Sequence, residues 1–188
     1  MISNFRRHPI AISCEIRQMY LQIEVHPDDW CYQLILWRPD KTGSVRTYAL
    51  KTVTFGANCS PFVSIRTLKQ LAKDYGHLYP RAAAIILKSS YIDDLIFGAD
   101  TIQEGHELIA EIEGLLGCAR FTLHKWFSSH PEVLSELTAE KLEIPALSFD
   151  SENKSRYSVL GIQWDAKSDE FTYEIKQKNH AYTKRGIL

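Results

Sequence analysis

No stretch restricts what this chain can fold into more than Ala84 to Asp100, where two short apolar runs flank the adjacent carboxylates of Tyr91-Ile92-Asp93-Asp94 and Gly98 closes the second run. An ionised carboxylate is costly to bury without a partner, and two side by side repel each other. Residues 84–98 are therefore expected to form a hairpin that buries its apolar side chains and leaves both aspartates at the bend. Asp is common in turns, so the pair alone is compatible with an ordinary turn. A third carboxylate on a separate strand, aimed at the same point, would make the bend a site.

The first strand offers one. Ile10-Ala11-Ile12-Ser13-Cys14-Glu15-Ile16 alternates, with positions 10, 12, 14 and 16 apolar, which turns Glu15 to the opposite face. Met19, Tyr20 and Ile23 then suggest a helical turn, and His26 to Asp29 a loop. Strands over Trp30–Trp37 and Val45–Val53, joined at Asp40-Lys41-Thr42-Gly43, read as a hairpin. Ser60 is placed to cap a helix with Pro61 in its first turn and Phe62, Ile65, Leu68 and Leu71 on one face, ending near Tyr75. Thr101 caps an amphipathic helix that buries Leu108, Ile109, Ile112, Leu115 and Leu116 and stops at Gly117. A strand over Ala119–Trp126, a short helix over Glu132–Lys141 and a last hairpin of Tyr157–Trp164 with Glu170–Lys176 complete the order. Helices interspersed among strands and hairpins favour an α+β fold, with helices packed on one face of a sheet.

Composition narrows the function classes. At 188 residues the chain is the size of one domain, and 45% hydrophobic residues suffice for a packed core. The net charge of −1 gives no overall basic surplus of the kind nucleic-acid binders show, so such a face must come from local clustering. The segment Met1–Pro9 has no apolar core and no run is long enough to span a bilayer, so an intracellular, non-secreted chain without a membrane partner is expected. The four cysteines form no Cys-x-x-Cys pair, which makes buried free thiols the default over a zinc site or a disulfide framework. His106-Glu107 lacks the second histidine of a zinc-protease motif, because position 110 is Ala110, and no phosphate-binding glycine loop or nucleophile elbow is present.

Tyr91-Ile92-Asp93-Asp94 resembles the Tyr-x-Asp-Asp box of reverse transcriptases, and further blocks in order resemble the BEL/Pao class of retrotransposon. They are Glu15 to Ile23, Tyr32 to Arg38, Thr52 to Phe62, Gly98-Ala99-Asp100, Leu123-His124-Lys125-Trp126 and Leu160 to Asp165. The resemblance runs from about residue 5 to 188. It implies a polymerase palm-like antiparallel sheet plus partial fingers, as a single partial domain over 1–188. Residues 24–57 would be a fingers/palm hairpin region and 157–177 a primer-grip-like hairpin.

The same resemblance implies RNA-directed DNA polymerase chemistry by two-metal nucleotidyl transfer. Glu15, Asp93 and Asp94 would hold Mg2+ or Mn2+, and Lys125 would act as proton donor to the pyrophosphate leaving group. Tyr20 would be the gate against a ribose 2′-hydroxyl, Phe55 and Gly56 would support template and nucleotide, and Leu160, Gly161 and Trp164 would lie in the primer grip. The implied partners are an RNA/DNA template-primer and a deoxynucleoside triphosphate, with no small-molecule cofactor. In that family fingers precede the matched region and a thumb follows it, so the resemblance implies a palm fragment, apart from the protease, RNase H and integrase segments that a complete element encodes.

One departure bears on activity. The family's first-strand acid is aspartate, and Glu15 is one methylene longer. Its oxygens are displaced by about 1 Å, a shift on a scale that can cost on the order of 10²-fold in rate, and magnesium tolerates distorted geometry poorly. A weak or inactive polymerase fragment is the expected outcome. The competing expectation is a residual or domesticated non-catalytic module that binds nucleic acid or a partner.

Overall fold

A computed structural model of the chain describes residues 7–142, 156–159, 162–165 and 170–172. In chain order the elements are β1 (Ile10–Ile16), β2 (Leu34–Trp37), β3 (Arg46–Ala49), helices α1 (Ser60–Tyr75) and α2 (Pro80–Ser89), β4 (Ser90–Tyr91), β5 (Asp94–Ala99), α3 (Ile102–Gly117), β6 (Leu123–Ser128), β7 (Arg156–Val159), β8 (Ile162–Asp165) and β9 (Glu170–Thr172). They fall into two compact units, Met1–Glu143 and Ile144–Leu188. The fold is α+β, as expected. Among the described residues no helix is long and apolar enough to cross a membrane.

The first unit is organised by an antiparallel sheet of order β4-β5-β1-β6. The alternation of β1 sends Ile10, Ile12, Cys14 and Ile16 into one core with Leu68 and Leu71 of α1, Ala82, Ala83 and Ile86 of α2, and Leu108, Ile112, Leu115 and Leu116 of α3. The stripe on α3 is the one its sequence periodicity indicates. Its start is fixed reciprocally: the Thr101 hydroxyl accepts from the Glu104 amide at 3.2 Å, and the Glu104 carboxylate accepts from the Asp100 amide at 2.8 Å.

Several expectations are corrected. Residues 84–89 are not the first arm of a hairpin; they belong to α2, and only Ser90 and Tyr91 pair with Leu95 and Asp94. Pro80 in the first turn and three consecutive alanines favour the helix, which buries Ala82, Ala83, Ile86 and Ser89 at helical spacing. In α1 the N-cap is Cys59, with no side-chain cap, while Ser60 is already helical and its hydroxyl donates to the Thr54 carbonyl at 2.5 Å. The buried stripe of α1 is Ser60, Ser64, Leu68, Leu71 and Ala72, and Phe62 is 71% exposed.

The remaining differences are of extent. Pro27–Tyr32 is a 3-10 turn, begun by Pro27 with two acids in its first turn, so β2 starts only at Leu34. The strand expected over Val45–Val53 keeps Arg46–Ala49, and the one expected from Ala119 starts at Leu123 and runs to Ser128. The helix expected over Glu132–Lys141 is two 3-10 turns, Pro131–Leu134 and Ala139–Lys141. The strand expected over Tyr157–Trp164 is split into β7 and β8, which pair with each other from Arg156↔Asp165 to Val159↔Ile162. With β9 paired to β8, the last hairpin becomes a three-stranded meander. Of the four cysteines only Cys14 is buried; Cys31, Cys59 and Cys118 are exposed.

The corrected faces can be tested by chemical denaturation. Ile112→Ala, which empties a fully buried position, is expected to cost about 3 kcal/mol. Phe62→Ala, on the solvent side of α1, is expected to change stability by no more than about 0.5 kcal/mol.

Candidate functional site

The site is built by register. Pairing of β1 with β5 sets Glu15 opposite Asp94, pairing of β1 with β6 sets Glu15 opposite His124, and pairing of β4 with β5 sets Tyr91 opposite Asp94. Directly opposed residues of antiparallel strands share a face. Tyr91, Asp94, Glu15 and His124 therefore form a row across one end of the sheet. Asp93 lies beside it in the two-residue turn between β4 and β5, where its carbonyl accepts from the Ile16 amide at 2.8 Å. The other turn residue, Ile92, has φ 55°, a left-handed conformation that is strained for a β-branched side chain.

Lys125 reaches the row by a different device. Between the pairs Ser13↔Phe127 and Glu15↔His124, β6 carries one residue more than β1, which is a bulge. Lys125 sits in it with φ 51°, and its Nζ lies 2.5 Å from Glu15 Oε2. The bulge thus brings an ammonium to a strand face already occupied by acids.

The electrostatics follow from this crowding. Asp94 is pushed up to about 6, first by burial and then by the charges of Asp93 and Glu15, with Lys125 opposing. Asp93 moves the same way, mainly by burial; a hydrogen bond from its own backbone amide, Lys125 and His124 oppose the shift, and Glu15 adds to it. His124 is held below the usual imidazole range chiefly by burial, and its Nε2 is buried without a hydrogen-bond partner among the described residues. Cys14, turned to the core, is pushed well up by burial and by Glu113, Asp94 and Glu15.

Three neighbouring carboxylates are the donor type that magnesium takes. Yet among the described residues no group of three or more His, Cys, Asp or Glu is arranged to hold a metal ion. Glu15 turns its carboxylate to Lys125. As arranged, these side chains do not fit the two-ion site that the resemblance implies.

The other expected site residues divide. Tyr20, half-buried, stacks at a 48° tilt on Phe55 with ring centroids 4.9 Å apart, so the structure joins two positions 35 residues apart in sequence. Phe55 is 67% exposed, and Gly56 has φ 85°, a backbone state that favours glycine. Leu160 and Gly161 lie outside the described residues, and Trp164 is buried in β8 of the second unit. The residue that sequence reading missed is His124. It stands within the Leu123-His124-Lys125-Trp126 block, but its place beside Glu15 depends on strand register, which the block does not encode.

The raised Asp94 gives a signed prediction. A carboxyl whose folded value lies above its unfolded value of 3.8 contributes stability that is present below that value and lost as pH rises through about 6. Asp94→Asn is therefore expected to flatten this decline. Discounted for the half-exposed site, the variant should be about 1 kcal/mol more stable than the parent at pH 8 relative to pH 4, read from denaturation at both values.

No model of a known protein family matches the sequence, and no curated protein matches it by sequence. Solved structures do share the fold. The foamy viral protease-reverse transcriptase in complex with double-stranded DNA is 13% identical, with a TM-score of 0.56 over 91% of this chain and 28% of that one. The same enzyme in complex with an RNA/DNA hybrid is 13% identical, with a TM-score of 0.54 over 87% of this chain and 17% of that one. The chain spans less than a third of those proteins' length. What the likeness shows is the fold: a reverse-transcriptase-like α+β arrangement with a palm-like antiparallel sheet.

Proposed function

We propose that this chain is the palm, with partial fingers, of a BEL/Pao-type reverse transcriptase. In this reading it binds an RNA or DNA template paired with a primer and polymerises weakly or not at all by itself. The observation that carries the reading is the convergence of Asp93 and Asp94 with Glu15, an acid pair at a hairpin bend set against an acid of the adjacent strand. The resemblance of Tyr91-Ile92-Asp93-Asp94 implies an acid pair and a first-strand acid at one sheet end, and the β1–β5 register supports that part of the reading. The six further blocks in order support the BEL/Pao assignment, and the fold shared with enzymes solved on RNA/DNA hybrid and on DNA supports a nucleic-acid partner.

The chain's own residues suggest how it would bind. The Tyr20–Phe55 pair and the open backbone at Gly56 provide an aromatic ledge on which a base or sugar can rest. Arg17 lies near the acid row and can meet phosphates. Residual polymerase activity would need Mg2+ or Mn2+ and a deoxynucleoside triphosphate, with Glu15, Asp93 and Asp94 as the acids that resemblance assigns to the metal. A binding role without catalysis is the second reading, and the Lys125–Glu15 ion pair favours it.

Fluorescence anisotropy with an RNA/DNA hybrid in EDTA tests the binding claim. Affinity should fall by about tenfold or more between 50 and 200 mM salt, and no binding at low salt would overturn the reading. Primer extension with manganese tests the catalytic half: Glu15→Asp should raise a low or absent activity by about 10²-fold. Vigorous synthesis by the parent, unimproved by that change, would contradict it.

A further inference from the structure

We propose that Lys125 is the resident counter-cation of the acid row and sets its cation preference, its tethered ammonium standing at Glu15 in place of a soluble divalent ion. The inference goes beyond the proposed function, since it concerns which cation the acids hold and not which nucleic acid the domain binds.

Three independent features support it. The first is geometric: Nζ of Lys125 lies 2.5 Å from Glu15 Oε2, the short contact of a charge-assisted hydrogen bond. The second is backbone: the extra residue of the β6 bulge is in the left-handed region at φ 51°, a conformation that lysine adopts at some cost and that a regular strand would not need. A strand without the bulge would alternate, and Lys125, next to His124, would then face away from Glu15. The third is the donor set itself: among the described residues no three acids, histidines or cysteines are arranged to hold a metal ion.

The length of residue 15 is central to the arrangement. Glutamate projects one methylene further than aspartate and brings its carboxylate out to the ammonium. A divalent ion taking Oε2 would have to displace Nζ, because magnesium binds carboxylate oxygen at about 2.0–2.1 Å, and one taking the other oxygen would sit beside the ammonium and be repelled by its charge. A shorter acid withdraws from Lys125 and leaves its oxygens to Asp93 and Asp94. Held on Glu15, the Lys125 ammonium is also turned from the proton-donor role that resemblance gives it.

Manganese titration of the full chain, followed by electron paramagnetic resonance, tests the inference directly. Lys125→Asn is the main variant, because asparagine tolerates left-handed backbone better than most residues, and Glu15→Asp is the second, at a different position. Both are expected to bind Mn2+ about tenfold or more tightly than the parent, the factor that loss of one charge-assisted contact commands. Glu15→Gln, which removes the ion pair but also an acid, should give no such gain. Equal affinity in parent and in both folded variants, or parent binding at about 0.1 mM or tighter, would overturn the inference. RNA/DNA hybrid binding in EDTA is measured on the same samples, so failure of the nucleic-acid reading and failure of the counter-cation reading show as separate results.

Discussion

Antiparallel pairing of β1 with β5 is the constraint on which the rest of the site depends. It runs without a break from Ile10↔Ala99 to Glu15↔Asp94. The apolar pairs Ile12↔Phe97 and Cys14↔Leu95 hold that register, because a slip of one residue would turn every core side chain outward and both acids inward. Trp126 of β6 adds to the lock, meeting Phe97 edge-on with ring centroids 6.4 Å apart. Acids at the sheet end are therefore positioned by hydrophobic packing along the strands, at a distance from the charges themselves.

What the packing produces is electrostatic tension. Asp93, Asp94 and Glu15 gather on a half-buried face, where burial and mutual repulsion raise the aspartates. Such a cluster is stable only if a cation shares it, if protons stay on, or if the core carries the strain. Lys125 supplies the first of these. Since Lys125 is 47% exposed, its ion pair contributes little to folding. Its consequence is local: its charge opposes the repulsion that raises Asp93 and Asp94. The positive φ of Ile92 belongs to the same economy of space, because the tight turn is what sets Asp93 directly beside the strand end.

How much of this was legible in the sequence depended on whether the information was local. The α3 helix was readable to its last residue, because Thr101, a five-residue apolar stripe and Gly117 are near-neighbour signals. The β1 alternation was equally plain, and it placed Glu15 on the correct face. The stretch before Tyr91 was misjudged because Ala-Ile-Ile-Leu suits a helix or a strand alike, and Pro80, several residues upstream, decided for the helix. Phe62 looked like a core residue by spacing, but the neighbours of α1 lie against Ser64 and Leu68. At the site, the two aspartates and Glu15 could be named from the chain. The bulge that swings Lys125 to Glu15, and the register that sets His124 beside it, are long-range properties of a sheet; no local pattern encodes them.

Three acids, Glu15, Asp93 and Asp94, share one end of the sheet. A carbon-13 NMR titration of the side-chain carboxyls reads this directly, with Asp94 assigned by substitution. Its midpoint is expected near pH 6, moving downward in Glu15→Gln as one repelling charge is removed. A midpoint close to the ordinary 3.8, insensitive to residue 15, would mean that Asp94 faces solvent alone and that the acid row does not exist.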